Sequence, residues 1–155
     1  MDIKQILGRL CTAGAPSGFE YAAASEARAL LEPLMDEVWL DRLGSVVGVR
    51  RCGKPGAKKL LLDAHLDEVG LMVTGHKDGF LRFQANGVDT RMLPDREVTI
   101  LTEPPMLGVV ACLPPHVLSI EEREKAPELK DLLIDVGLSA KEAERRIPVG
   151  TPIVY

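Results

Sequence analysis

Ile3, Ile6, Leu7 and Leu10 recur at three- and four-residue steps, a spacing that gathers them on one side of a helix. The pattern predicts a short amphipathic opening helix halted near Gly14-Ala15-Pro16. Ser17 with Glu20 three residues on has the form of a capping box. A second, alanine-rich helix is expected after it, with Ala24, Ala27, Leu30, Leu31 and Leu34 as its buried stripe and an end by Met35. Val38 to Leu40 and Val46 to Val49 flank Asp41-Arg42-Leu43-Gly44, which predicts two strands joined by a tight turn. Residues 52–58 carry glycine and proline among basic residues and read as a loop. Leu60, Leu61 and Leu62 then form a short apolar run, expected to be a central strand.

The texture changes near residues 70–74. Val69 to Val73, Phe80 to Phe83, Val98 to Leu101, Leu107 to Cys112 and Pro152 to Tyr155 are short strand candidates separated by Gly, Asp, Asn and Pro. Their spacing suits a small β-rich, barrel-like unit. Helices are expected within it at Ile120 to Lys125 and at Ala140 to Arg146, the latter with Ser139 and Glu142 as a capping box. The expected fold class is α/β, with residues 1–72 opening a layered domain and residues 73–155 forming the β-rich unit. The final Val149-Gly-Thr-Pro-Ile-Val-Tyr enters a strand with no polar tail, a texture that points to truncation.

Composition narrows the function classes. Over 155 residues, 46% are apolar and 27% charged, ordinary for a globular protein, and a net charge of -4 gives no basic field to gather nucleic acid. No apolar run approaches the roughly 20 residues that span a bilayer, and no signal peptide is recognisable at the N-terminus, so a cytoplasmic location without membrane partners is expected. Cys11, Cys52 and Cys112 are odd in number and lie far apart, which argues for small buried hydrophobes in a reducing compartment.

The chemistry concentrates in Asp63-Ala-His-Leu-Asp-Glu-Val-Gly70. In a strand, Asp63, His65 and Asp67 point to one side and Glu68 to the other. A neutral imidazole binds zinc or cobalt, and a carboxylate taking its second N–H fixes the tautomer. That makes His65 a candidate metal ligand and Asp67 its orienting partner. Spacing alone leaves open a purely structural histidine at a strand end, because H-x-D is a short pattern. His76, in a stretch expected to be a hairpin turn, and His116, after Pro114-Pro115, are not obviously placed beside His65. Among the serines there is no G-x-S-x-G elbow, and Gly53 to Gly56 lacks the rest of a phosphate loop.

DAHLDEVG resembles the signature of the metallo-aminopeptidases of peptidase family 42, which include glutamyl aminopeptidases, TET-type peptidases and proteins once called endoglucanases. The resemblance continues through PSGFE at 16–20, D-x-L-G at 41–44, NGVDTRMLPDREVTI at 86–100, LGVVACLPPHVLS at 107–119, LLIDVGLSAKEAE at 132–144 and VGTPIVY at 149–155. Ser45 and Asp95 depart from it, standing where asparagine and glycine are usual. The resemblance implies an α/β catalytic domain interrupted by a barrel-like insertion that serves assembly and access, and a homo-oligomer acting on peptides. It also implies two zinc or cobalt ions that activate a water. His65 matches a metal ligand and Asp67 the acid that steers it, while Glu68, projecting opposite His65 in an extended segment, is read as a structural or neighbouring acid and not the catalytic glutamate. The general-base glutamate and the remaining ligands match nothing here, since they follow the insertion. The expectation is therefore the N-terminal portion of a metal-dependent aminopeptidase, inactive by itself and binding metal weakly or not at all. The alternative is a non-catalytic assembly or interaction module derived from such an enzyme.

Overall fold

The computed structural model describes residues 2–155, which divide into two compact units, one ending at Glu68 and the other running Val69–Tyr155. The division lies a few residues before the composition-based boundary at 72, because residues 70–72 already pair as part of the first strand of the second unit.

In the first unit, α1 spans Ile3–Cys11 and begins where the Asp2 side chain accepts the Lys4 amide, satisfying one of the free donors of a helix start. Helix α2 covers Tyr21–Leu31, followed by the antiparallel hairpin of β1 (Glu37–Leu40) and β2 (Val46–Val49). Asp41 makes the hairpin turn by accepting the amides of Leu43 and Ser45 on Oδ1. Two expectations about α2 fail. Ser17 does not cap α2: it lies in a turn before the helix, Glu20 occupies the cap position, and the Glu20 side chain accepts the Gly18 amide. Of the expected stripe only Ala24 is buried, with its neighbour Ala23, while Leu34 is exposed.

The larger correction concerns Leu60, Leu61 and Leu62. They form no strand and are 84%, 85% and 85% exposed. A central strand needs a neighbour on each side, and β1 and β2 pair only with each other. The buried hydrophobics of this unit are Ala15, Ala23 and Ala24, too little volume to make a core. The three cysteines are also free and exposed rather than buried: Cys11 ends α1, Cys52 lies in the loop after β2, and Cys112 follows the end of a barrel strand.

The second unit is a closed barrel of six strands: β3 (Gly70–Lys77), β4 (Phe80–Asn86), β5 (Glu97–Ile100), β6 (Met106–Ala111), β7 (Leu133–Asp135) and β8 (Pro152–Val154), in the order β3-β4-β7-β6-β5-β8. Period-two alternation sends Leu71, Val73, Leu81, Phe83, Val98, Ile100, Val110, Ile134 and Ile153 to the interior. Each such residue, when fully buried, contributes about 1.5–3 kcal/mol relative to exposure. The short helix α3 (Ile120–Arg123) lies between β6 and β7, and α4 (Ala140–Arg146) follows β7 with the Ser139/Glu142 capping box in place. Helix α4 packs on the barrel through Ala143 and, just past its end, Ile147, both fully buried. Strand β7 lies outside the strand candidates that the alternation predicts.

His76 is a strand residue. β3 continues through His76 and Lys77, and the turn is confined to Asp78 and Gly79, whose φ values of 51° and 95° fit an Asp-Gly hairpin turn with positive φ at both positions. The His76 ring donates from Nε2 to the Ile147 carbonyl at 2.8 Å, tying β3 to the end of α4. Asp95, where glycine is usual, has φ 62°, the left-handed conformation that its identity made a concern. Among the described residues no helix is long and apolar enough to cross a membrane.

Two outcomes follow. A Cβ on Gly79 would sit 2.7 Å from the Leu138 carbonyl at a φ that L-residues avoid, so Gly79→Ala should cost about 2 kcal/mol or more, read as a lower urea midpoint for barrel unfolding. Asp89 is held down to about 2 by the Arg91 guanidinium, which donates to both carboxylate oxygens, and by the Arg91 amide. Its folded pKa lies below the ordinary 3.8, so the stabilisation is present above that value and is lost as pH falls through about 2. A carbon-detected NMR titration should place the Asp89 midpoint there, and Arg91→Ala should move it back toward 3.8.

Candidate functional site

The segment after the leucines enters a ladder only at Glu68, in an isolated parallel bridge with Pro16. Glu68 holds Ala15 from both sides: its backbone N–H donates to the Ala15 carbonyl at 2.9 Å, and its Oε1 accepts the Ala15 N–H at 2.8 Å. Ala15 is 3% exposed, so both backbone groups need protein partners, and Glu68 supplies them. Glu68 is thereby turned to the chain at residue 15. Asp63, grouped with His65 and Asp67 on strand spacing, takes no part in the arrangement, because no strand forms to align it.

Next to this clasp, Asp67 and His65 meet. The His65 Nδ1 lies 3.1 Å from Asp67 Oδ1 and 3.0 Å from the Asp67 carbonyl oxygen. Both oxygens are acceptors, so in the neutral ring Nδ1 carries the hydrogen and Nε2 keeps its lone pair. The His65 side chain is 86% exposed, which leaves that lone pair open. The second carboxylate oxygen, Oδ2, accepts the Ser17 hydroxyl at 2.5 Å. Asp67 is held below the ordinary carboxylate range, by the Ser17 hydroxyl first and by His65 next.

Sequence reasoning missed Ser17 in this role. Its pairing with Glu20 looked like a helix start, but the Ser-Gly pair at 17–18 is a turn signal, and Gly18 has φ 89°. The order Ser17, Asp67, His65 is not a nucleophilic triad, because the hydroxyl donates to the carboxylate and no histidine is placed to take its proton. His76 is engaged with Ile147 and His116 lies in the turn at Pro115–Val117. Among the described residues no three His, Cys, Asp or Glu side chains come together to hold a metal ion.

A hairpin-and-helix unit and a six-stranded antiparallel barrel define a mixed α/β protein. The family model for M42 glutamyl aminopeptidase matches residues 44–155, well over half of the chain, and the chain belongs to that family. The lysyl aminopeptidase of Pyrococcus furiosus is 31% identical over 89% of this chain and 40% of its own length. Among solved structures, the TET aminopeptidase of the marine sediment archaeon Thaumarchaeota archaeon SCGC AB-539-E09 matches with a TM-score of 0.85 and 34% identity, over 97% of this chain and 43% of that one. The TET1 peptidase of Pyrococcus horikoshii, which can assemble into a tetrahedron or a large octahedral shell, matches with a TM-score of 0.81 and 28% identity, over 99% of this chain and 46% of that one. The chain thus spans less than half the length of each of these proteins.

The Glu68 clasp can be tested locally. In Glu68→Ala the Ala15 amide should exchange with solvent about tenfold faster, as expected for losing a hydrogen bond worth ~1–2 kcal/mol, whereas Glu68→Gln should keep most of the protection.

Proposed function

We propose that this chain is the N-terminal portion of a metal-dependent aminopeptidase that removes N-terminal residues from peptides. The carrying observation is His65, its Nδ1 held by Asp67 and its Nε2 open. This donor chemistry fits one imidazole ligand of a divalent ion, zinc or cobalt, with Asp67 orienting it. When bound, two such ions supply Lewis acidity toward a peptide carbonyl and lower the pKa of water. His65 contributes one neutral nitrogen donor, and Asp67 keeps the ring turned and its hydrogen on Nδ1. Glu68, spent on Ala15, is not the general base. That base and the other ligands belong to sequence beyond this chain, and the chain alone turns over no peptide.

The same reading accounts for the leucines. Residues 1–72 are taken as the opening of a catalytic domain, in which the exposed Leu60 to Leu62 are covered by parts of that domain outside this chain, and residues 73–155 as an insertion between its two parts. The exposure of the leucines and the 40–46% share of the relatives' lengths support this. Homo-oligomeric assembly is proposed by likeness to the TET1 peptidase, which can assemble into a tetrahedron or a large octahedral shell. The free cysteines suit a reducing, cytoplasmic compartment.

The experiment is an aminopeptidase assay on the complete protein, with divalent metal and peptides bearing free N-termini. Hydrolysis is expected, falling by about a thousandfold or more in His65→Ala and by about 10- to 100-fold in Asp67→Asn, with metal content lowered in parallel. Unchanged activity and metal content in His65→Ala would overturn the assignment. The verified 155-residue chain is expected to be inactive, and peptide hydrolysis by it that His65→Ala removes would refute the claim of incompleteness.

A further inference from the structure

Asp67 uses its two carboxylate oxygens on different partners: Oδ1 faces the His65 ring and Oδ2 accepts the Ser17 hydroxyl. An aspartate with 38% of its side chain exposed has two rotatable bonds and water to compete for both oxygens. Holding Oδ1 toward the ring therefore needs something to fix the carboxylate plane. We propose that Ser17 is a positioning residue: its hydroxyl anchors Asp67 so that the carboxylate joins the Asp67 carbonyl oxygen, 3.0 Å from the same nitrogen, in keeping the His65 hydrogen on Nδ1 and the lone pair on Nε2. This rests on the reading of His65 as a metal ligand.

The backbone makes the Ser17 contact reproducible. Ala15 is clasped by Glu68 through two hydrogen bonds, and Pro16 forms a parallel bridge with the same residue. Ser17 is two residues past one side of the clasp and Asp67 one residue before the other. Their separation is therefore set by the main chain and not by two free side chains meeting on a surface. The turn keeps this geometry with Gly18 at φ 89°. The functional element is thus a relay of Ser17, Asp67 and His65, in which the serine acts only through the aspartate.

The test uses the 155-residue chain and nitrogen-15 NMR of the His65 imidazole at pH 8, where the ratio of Nδ1–H to Nε2–H forms is read directly. The wild-type ring should be predominantly Nδ1–H. Ser17→Ala should lower the ratio about fivefold, and Ser17→Thr, which keeps a hydroxyl, should restore it. Ser17→Cys, close in size but a weak donor, should fall between them and carries the test if the alanine variant fails to fold. In the complete protein, zinc should bind about fivefold more weakly in Ser17→Ala than in wild type. Equal tautomer ratios and zinc affinities in wild type, Ser17→Ala and Ser17→Cys would overturn the role of Ser17 while leaving His65 as a ligand. A zinc affinity of the complete protein left unchanged by His65→Ala would instead overturn the ligand assignment on which it rests.

Discussion

Ala15 gives both of its backbone hydrogen-bonding groups to one residue, and that exchange with Glu68 is the constraint on which the candidate site depends. The residues between β2 and Glu68 run without a ladder. A chain so loosely held would scatter His65 and Asp67 over many conformations, at an entropic cost of roughly 1–2 kcal/mol for each residue ordered. The clasp ends that freedom at one point, immediately beside Asp67. A charged acceptor on a nearly buried amide is worth more than a surface ion pair, because leaving the amide unpaired would incur its desolvation cost. The second acid of the Asp-Glu pair thus serves its neighbour through the main chain.

The two units were legible from sequence to different degrees, for a physical reason. The barrel is built from strands that bury one face, so alternation marked β3, β4, β5, β6 and β8 within a few residues of their observed ends. Strand β7 does not stand out: its three residues follow directly on a 3₁₀ turn at Leu129–Asp131, without the Gly and Pro that set off the equally short β8. Helix α4 was legible to the residue because its capping box states where it starts. In the first unit the same reasoning found the β1–β2 hairpin, whose Asp41 turn is a local device, and misread Leu60 to Leu62 and Ser17. Leucine runs announce burial but not the partner that provides it. A serine three residues before a glutamate satisfies a pattern that a turn can satisfy as well.

The site itself was partly readable. H-x-D at strand spacing drew attention to His65 and Asp67, and the meeting of Nδ1 with Oδ1 needs only their two-residue separation. The participation of Ser17 depends on a contact fifty residues away along the chain, which no local spacing encodes. Asp95 is a milder case: the departure from glycine flagged the position, and the backbone there adopts the left-handed conformation despite the side chain. Its amide donates to the Val110 carbonyl at 2.9 Å, so the turn is held by pairing that does not depend on the residue type.

Strand β8 gives the barrel a different kind of dependence. Three residues, Pro152–Val154, lie between β3 and β5, with Ile153 opposite both Leu71 and Ile100. The other four seams join strands that a nascent chain has already made, whereas both seams of β8 wait for it, and the one with β3 closes across some eighty residues of sequence. Until the last of these residues leaves the ribosome, the growing chain carries two open strand edges whose bare amides and carbonyls invite pairing with another molecule. Closure is then a late, long-range event with a high contact order, so the time spent with open edges is set by translation as much as by the barrel's own stability.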